Sequence, residues 1–266
     1  MKAVALLGIR NEALYLEKCL SHLQENGIRV CLIDNDSTDE SMEIARAYQP
    51  GCVIGIERLP FKGVYDWVAM LRKKQELAAA IGADWYIHHD GDEIRQPPWP
   101  EMTLEQALAE VDARGYNAVN FDEFVFLPCS EDLQGHEGTD YVRAMRYYYY
   151  FAPSAMHRVN AWKNTGQPVD LVSSGGHQVK FSGRQIFPHN FVLRHYIGLS
   201  REHLIRKYTS RTYSRREVEE RGWHGKRAFF QAGDLCLPER KQLKKLQPDG
   251  PWDRSEPWTK HSFLGK

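Results

Sequence analysis

The chain has 266 residues, enough for one large α/β domain or for a domain with a C-terminal extension. Its 35 Lys and Arg residues balance 35 Asp and Glu residues, so no global field attracts nucleic acid or an acidic membrane. We therefore expect no nucleic-acid partner. Residues 201–227 and 240–245 are rich in Arg and Lys. Such runs are usually solvated helix faces, and contact with a phosphorylated or membrane-borne substrate is the alternative.

The cysteines and the N-terminus indicate the compartment. The 5 Cys residues are far apart and form no CxxC pair, which is typical of reduced thiols in a cytoplasm. The first apolar run turns polar at Arg10, too early for a signal peptide. No stretch approaches the roughly 20 apolar residues of a membrane span. We expect a cytoplasmic protein, and the basic stretches leave open peripheral association with the inner face of the membrane.

The first hundred residues alternate between the patterns of buried strands and of amphipathic helices. Apolar runs predict strands over 3–7, 30–33, 52–56 and 85–87. Apolar residues at helical spacing predict helices over 16–23 and 67–81. This alternation predicts a parallel sheet with right-handed crossovers.

Beyond residue 100 the pattern changes. It predicts a helix over 104–111, strands over 117–126, 141–151 and 191–196, a loop-rich segment over 153–183, and a basic helix from Ser200. The chain shows no internal repeat and no clear linker.

Polar clusters follow three of the predicted strands. They are Arg10-Asn11-Glu12, Asp34-Asn35-Asp36 and Asp90-Gly91-Asp92. Parallel sheets bind ligands outside the carboxyl ends of their strands, so this convergence predicts a binding edge. The first two clusters also have a structural interpretation, because Glu12 favours a helix start and Asp36 with Ser37 can begin a helix.

The Asp90-Gly91-Asp92 triplet has the chemistry of a metal site. Its two carboxylates are hard oxygen ligands, and Gly91 lets a phosphate approach the backbone. Mg²⁺ or Mn²⁺ takes one or two such carboxylates and completes its shell with diphosphate oxygens and water. A metal bound there stabilises a nucleoside diphosphate leaving group. The alternative is a polar turn in which Glu93 caps a neighbouring group.

Together these motifs resemble the family 2 glycosyltransferases. The likeness rests on R-N-E at 10–12, D-N-D-S-T-D at 34–39, G-A-D-W-Y-I at 82–87 and D-G-D-E at 90–93. It is good over the first hundred residues and patchy afterwards, where 175–177 and 195–196 are similar to late motifs of related bacterial enzymes. The resemblance implies a GT-A fold, a nucleotide-diphosphate sugar donor, Mn²⁺ or Mg²⁺, and inversion at the anomeric carbon.

The resemblance also implies roles for individual residues. The implied donor contacts are Arg10, Asn11, Glu12, Asp34, Asn35, Lys73, Asp90 and Gly91. Asp92 corresponds to the main metal ligand, Asp90 assists it, and His195 is a further ligand. Asn35 stands where many relatives have an aspartate that pairs with uracil, so a UDP-sugar is the first expectation and GDP or dTDP stay open.

An inverting transfer needs a general base. His177 and Asp170 fall in the loop where the family has its base region, and Glu123 or Asp122 on the middle strand are the alternatives. For His177, a solvated loop histidine is an equally good interpretation.

We therefore predict an α/β fold: a GT-A-like, Rossmann-type, mostly parallel sheet flanked by helices, with a helical C-terminal extension. The catalytic domain covers 1–200, with a nucleotide-sugar-binding half (1–100) and an acceptor-side half (101–200), and the extension covers 201–266. The predicted function is metal-dependent transfer of a sugar to a glycan or lipid-linked acceptor in polysaccharide biosynthesis. The alternatives are a metal-dependent phosphohydrolase of nucleotide-sugars and a noncatalytic sugar-nucleotide or glycan-binding protein.

Overall fold

The computed structural model describes residues 1–247 and 250–265. The strands and helices in chain order are β1 (Ala3–Ile9), α1 (Ala13–Glu25), β2 (Arg29–Asp34), α2 (Ser41–Ala47), β3 (Val53–Arg58), α3 (Trp67–Ala80), β4 (Trp85–Asp90), β5 (Glu93–Gln96), α4 (Leu104–Ala113), β6 (Ala118–Phe126), α5 (Tyr141–Ala144), β7 (Tyr147–Phe151), β8 (Val159–Lys163), β9 (Phe191–Tyr196), α6 (Arg201–Thr209), α7 (Arg215–Glu219) and β10 (Lys244–Lys245).

The described chain forms two compact units. The first comprises Met1–Lys62, Trp67–Asp122 and Met156–Leu193, and the second comprises Gly63–Asp66, Glu123–Ala155 and the described residues from Arg194 onward. Our predicted division places one boundary along the sequence, between a domain over 1–200 and an extension over 201–266, whereas each of these units combines non-consecutive segments. The predicted division stays a prediction.

The first unit is built on a parallel sheet. Strand β1 pairs in parallel with β2 on one side and with β4 on the other, and β2 pairs in parallel with β3. Strand β8 joins β4 in antiparallel orientation, and the first residues of β6 pair with β8. The predicted α/β class, with a mostly parallel sheet flanked by helices, is confirmed.

Helices cover both faces of this sheet because side chains alternate along each strand. On β4, Trp85 and Ile87 point to one face, where they share a hydrophobic core with residues of α1, α2 and α4. His88 points to the other face and meets Trp67 of α3, with ring centroids 5.8 Å apart. Asp90 shares the face of His88, so α3 is the helix that packs beneath the predicted metal loop.

The second unit has its own apolar core. Strand β7, which carries the run of tyrosines, pairs antiparallel with the last residues of β6 and with β10. Ser200 is the N-cap of α6, and its hydroxyl accepts a hydrogen bond from the amide of His203 at 2.9 Å. Beyond α7, the described residues form 3-10 turns and β10. Within the described ranges, no helix combines the length and the apolar character needed to cross a bilayer.

We expect Gly176→Ala to destabilise the fold more than Gly166→Ala does. Both glycines have positive φ, at 85° and 72°, so alanine costs about 1–2 kcal/mol of backbone strain at either position. A Cβ at Gly176 would lie 3.0 Å from Leu71 Cδ2 and 3.2 Å from His88 Nε2, whereas one at Gly166 would meet nothing within 4 Å. Urea unfolding measures both variants, and equal losses would contradict the packing of this loop on β4.

Candidate functional site

The carboxyl ends of three neighbouring strands lie in one row. In the parallel register, Gly8 of β1 is opposite Asp90 of β4, and Ile9 is opposite Asp34 of β2. The amide of Asn35 continues the pairing and donates to the carbonyl of Ile9 at 2.9 Å. The three sequence clusters that follow these strands are thus brought to one edge of the sheet.

Asn35 is buried at this edge, and its amide has a defined orientation. Its Nδ2 donates to the carbonyl oxygen of Leu59 at 2.8 Å. Because a carbonyl oxygen only accepts hydrogen bonds, the amide nitrogen must face Leu59 and Oδ1 must face away from it. Asn35 therefore offers a hydrogen-bond acceptor to a ligand, as an aspartate would, but without the negative charge.

Arg10 lies beside Asn35. Its guanidinium donates to the backbone oxygens of Asn35 and Asp36 and stacks 3.4 Å from the centre of the Phe61 ring. Asp36 is paired with Arg58 at 2.6 Å and also accepts the amide of Phe61 at 2.9 Å. The hydrogen bond from Arg58 lowers the pKa of Asp36.

The prediction that Asp36 and Ser37 can begin a helix is wrong, because α2 begins at Ser41. Asp36 instead has positive φ, 54°. Its carboxylate accepts hydrogen bonds from Arg58, the last residue of β3, and from the amide of Phe61 beyond that strand. The segment after β2 is therefore a shaped loop stabilised by residues that are distant in sequence.

Asn11 and Glu12 connect the ends of β1 and β2. Asn11 has φ 55°, and its Oδ1 accepts the amide of Thr38 at 2.7 Å. Helix α1 begins directly after Glu12, as the structural interpretation expected. The Glu12 side chain also borders Gly91, where an added Cβ would lie 3.4 Å from Glu12 Cβ.

The first carboxylate of the predicted metal loop is paired with a buried lysine. Asp90 Oδ1 lies 3.3 Å from Lys74 Nζ, and the Lys74 side chain has no exposed surface. Burial lowers the pKa of Lys74, and the charge of Asp90 opposes that shift. Burial, followed by the charge of Lys74, lowers the pKa of His88 well below its usual value, so His88 is a neutral hydrogen-bond acceptor.

Sequence reasoning selected Lys73 and missed Lys74. Lys73 forms an ion pair with Glu57 at 2.9 Å and keeps 24% of its side chain exposed. The spacing of α3 contains a signal for Lys74, because it lies four residues after Met70 and four before Ala78, both on the buried face. A charged residue on the apolar face of a helix is expected to be buried and paired.

A second buried ion pair lies under the loop. Glu93 and Arg95 are joined at 2.6 Å, with 2% and 0% of their side chains exposed. Glu93 also accepts the amide of Asp90 at 3.2 Å, and Arg95 donates to the carbonyl of His88 at 3.0 Å. These hydrogen bonds fix the backbone on both sides of the turn into the loop.

The same network extends to the loop over 175–177. Arg95 donates to Asn160 Oδ1 at 3.4 Å, and Asn160 Nδ2 donates to the carbonyl of Gly176 at 2.9 Å. Trp67 Nε1 donates to the carbonyl of Gly175 at 2.8 Å. The Gly175-Gly176-His177 loop, noted in the sequence, is therefore held beside the end of β4.

The donor set of the loop is compatible with Mg²⁺ or Mn²⁺. Asp90 and Asp92 supply carboxylate oxygens, and Asp92 is only 8% exposed. Within residues 1–247 and 250–265, no group of three or more His, Cys, Asp and Glu side chains is arranged to hold a metal ion. Two carboxylates are within the number of protein ligands that Mg²⁺ usually takes where substrate phosphates and water complete its shell.

Of the base candidates in the first unit, His177 has its Nδ1 occupied. Arg158 approaches that nitrogen at 3.3 Å, and since a guanidinium only donates, Nδ1 is the acceptor and Nε2 carries the proton. The ring also lies against His157, with centroids 4.5 Å apart. This tautomer makes His177 a hydrogen-bond donor toward a ligand.

Asp170 shapes its own loop. Its Oδ1 accepts the amide of Ser173 at 2.9 Å, and its backbone bridges to Lys180. Although burial raises the pKa of Asp170, the hydrogen bonds from Ser173 and the charge of Lys180 lower it more. A stabilised carboxylate of this kind is a weak proton acceptor. The alternative Asp122 accepts a hydrogen bond from Asn190 at 2.9 Å.

The second unit contains a carboxylate–histidine pair. Glu123 on β6 has a fully buried side chain, and its Oε1 lies 2.7 Å from Nδ1 of His195 on β9, whose side chain is 13% exposed. A carboxylate bound at one imidazole nitrogen fixes the tautomer and makes the other nitrogen more basic. Sequence reasoning named both residues but did not link them.

Comparison with known proteins identifies the N-terminal segment. Residues 6–63 match the sequence model described as "Glycosyl transferase family 2". This match, which covers less than half of the chain, agrees with the resemblance to the family 2 glycosyltransferases that the motifs of the first hundred residues carry. The matched segment begins within β1, extends beyond β3 and contains the Arg10 and Asn35 clusters. No curated protein matches the chain.

Solved structures of S. aureus TarS are similar over part of their length. One is 9% identical, with 79% of this chain and 38% of that chain covered and a TM-score of 0.47. The structure of TarS 1-349 in complex with UDP is 11% identical, with 79% and 63% covered and a TM-score of 0.47. The chain thus spans less than two thirds of the length of these structures.

We expect Arg95→Met to be strongly destabilising, with a loss of about 3–5 kcal/mol, because Glu93 would remain buried without its partner. Arg114→Met is the matched control, since its pair with Glu110 is exposed and contributes at most about 1 kcal/mol. Urea unfolding compares the two variants. A loss for Arg95→Met no greater than for the control would contradict the buried network.

Proposed function

We propose that this protein is a family 2 glycosyltransferase that transfers a sugar, with inversion, from a nucleotide-diphosphate donor to a glycan or lipid-linked acceptor, and that it requires a divalent metal. The observation that carries the proposal is the strand-end row of Gly8, Asp34 and Asp90. This row brings the residues of the matched family segment together with the Asp90-Gly91-Asp92 loop.

The diphosphate is assigned to the loop after β4. Asp92 is the main ligand for Mn²⁺ or Mg²⁺, and Asp90 assists it. Such a metal, when bound, stabilises the negative charge that grows on the leaving diphosphate. Gly91 keeps the backbone open to the phosphates, and Arg95 and Glu93 hold the loop in shape beneath them.

The nucleoside is assigned to the ends of β1 and β2. The Asn35 amide presents an acceptor, and the guanidinium of Arg10 next to it is a donor. An acceptor beside a donor complements a base edge that has a ring N–H next to a carbonyl. Uracil, thymine and guanine have this edge, whereas cytosine and adenine lack the ring N–H. A UDP-sugar is the first choice.

We expect UDP with Mn²⁺ to stabilise the protein, whereas CDP and N3-methyl-UDP do not, because neither of the latter can donate a ring N–H to Asn35. At about 100 times its dissociation constant, a ligand adds about 2.7 kcal/mol of stability. Thermal melts measure this shift, with GDP, dTDP and ADP included in the panel.

In the same melts, Asp92→Asn should remove the Mn²⁺-dependent shift. Asp112→Asn, whose carboxylate is paired with Lys163 in the first unit, should retain it. If no nucleotide stabilises the wild-type protein with or without metal, the proposed function is refuted. Stabilisation by CDP as strong as by UDP would refute only the assignment of Asn35.

For the base, we favour the Glu123–His195 pair over His177 and Asp170. The buried Glu123 carboxylate orients the imidazole and makes its other nitrogen more basic, and 13% of the His195 side chain is exposed. His177 has its Nδ1 committed to Arg158, and Asp170 is a stabilised carboxylate. The implied role of His195 as a further metal ligand stays a second prediction for the same residue.

Glu123→Gln is expected to lower kcat by about 10²- to 10⁴-fold, the usual contribution of general base catalysis, with little change in the KM for the donor. Asp170→Asn is the control: the asparagine Oδ1 can still accept the amide of Ser173, so the loop keeps its hydrogen bond and kcat should stay within a few-fold. Steady-state kinetics with the identified donor tests both. An inactive Asp170→Asn with a fully active Glu123→Gln would reverse the assignment.

The acceptor and location are the least constrained parts of the proposal. A glycan or lipid-linked acceptor in polysaccharide biosynthesis follows from the family resemblance, and a cytoplasmic location at the membrane face would suit it. Turnover of the donor that does not depend on any acceptor would favour the nucleotide-sugar phosphohydrolase instead.

A further inference from the structure

Lys74 is a buried cation that the proposed reaction does not use. Its side chain has no exposed surface, so it does not contact a ligand from solvent. Its ammonium group has three hydrogen-bond acceptors: His88 Nδ1 at 3.1 Å, the His89 carbonyl at 2.9 Å and Asp90 Oδ1 at 3.3 Å. Three acceptors match the three N–H donors of a charged ammonium group.

This arrangement changes what the loop offers to a cation. The charge of Asp90 is compensated by Lys74, and one of its oxygens faces the ammonium. Asp92 is the other carboxylate of the loop, and the described residues provide no three-ligand group around it. A divalent ion that meets the loop alone therefore finds one of the two loop carboxylates already compensated by Lys74, and few side-chain ligands among the described residues.

A nucleoside diphosphate supplies both further negative charge and further metal ligands. Its phosphate oxygens are the hard ligands that Mn²⁺ and Mg²⁺ prefer, and they bring negative charge that Lys74 does not neutralise. The position of Lys74 on α3 is also rigid, because Met70, Leu71, Leu77 and Ala78 of the same face are buried. The ammonium group thus stays at Asp90 whether or not a donor is present.

We propose that Lys74 is a positioning residue and built-in counter-ion for Asp90, which makes metal binding depend on the donor diphosphate. This inference rests on the proposed function, in particular on a metal at the Asp90-Gly91-Asp92 loop. It goes beyond that function by assigning an order: the site takes the metal together with the diphosphate and holds it weakly alone.

Linkage makes the dependence reciprocal. If the diphosphate raises the affinity for Mn²⁺ by a given factor, Mn²⁺ raises the affinity for the diphosphate by the same factor. Two independent titrations of the wild-type protein must therefore agree, which provides an internal check without any substitution.

The first experiment uses the full wild-type chain and electron paramagnetic resonance of free Mn²⁺. Mn²⁺ is titrated alone and with saturating UDP, after subtraction of the Mn²⁺–UDP complex measured without protein. We expect UDP to raise the apparent Mn²⁺ affinity at least 100-fold. Equal affinity with and without UDP would overturn this inference but leave the proposed metal site standing. Absence of Mn²⁺ binding in both conditions would overturn both.

The second experiment removes the counter-ion. Lys74→Met keeps the length of the side chain but frees Asp90, so the affinity for Mn²⁺ without nucleotide should rise at least tenfold and the effect of UDP should shrink. Lys163→Met removes the same charge elsewhere in the first unit, from a lysine paired with Asp112, and should leave the metal-alone affinity within about twofold.

These outcomes separate a positioning role from a merely structural one. A residue that only supports the fold would lower stability without raising metal affinity. If Lys74→Met does not fold, Lys74→Gln is the replacement, and the wild-type titration alone still decides the order. Unchanged metal-alone affinity in a folded Lys74 variant, or the same rise in Lys163→Met, would overturn the role of Lys74.

Discussion

The buried ion pair of Glu93 and Arg95 is the interaction on which the rest of the candidate site depends. Removing two charges from water is costly, and the cost is offset only when their remaining hydrogen bonds are made. Here Glu93 accepts the amide of Asp90, and Arg95 Nη2 donates to the His88 carbonyl and to Asn160. Among the described residues, Arg95 Nε and Nη1 are buried without a hydrogen-bond partner. The pair therefore fixes the shape of the loop after β4 and, through Asn160, the loop over 175–177.

Above this pair, one of the two carboxylates of the acidic loop has its charge compensated. Lys74 compensates Asp90 from below, and Asp92 remains as the second carboxylate. Asn35 contributes an acceptor without charge at the neighbouring strand end. This edge of the sheet thus combines a neutral hydrogen-bond acceptor that suits a nucleobase with an acidic side chain that suits a metal bound to a diphosphate. Neither strand end alone has this combination.

Sequence patterns predicted the features that depend on local periodicity. Buried strands followed by polar clusters gave the parallel sheet and its binding edge, since carboxyl ends of adjacent parallel strands share an edge. Patterns did not predict contacts between distant segments. The pairing of Asp36 with Arg58 and of Glu123 with His195 depends on strand register, which no single-segment pattern contains.

The sequence-based prediction also selected Lys73, whereas the lysine that is buried beside Asp90 is Lys74. Adjacent residues of a helix differ by about 100° in direction, so an error of one position moves the charge from the buried face to the surface. The family motif suggested the region, whereas the apolar spacing of α3 identifies the residue. The tautomer of His177 was also beyond the sequence, because it is set by Arg158, which precedes β8.

The central claim is that Asp92 holds a divalent metal together with a nucleoside diphosphate. Anomalous diffraction at the manganese edge, from crystals grown with Mn²⁺ and UDP, tests it most directly. The account predicts one strong peak within bonding distance of an Asp92 oxygen and of both phosphates, and no such peak in crystals grown with Mn²⁺ alone. A peak away from Asp92, or UDP bound in the row of strand ends without metal, would contradict it.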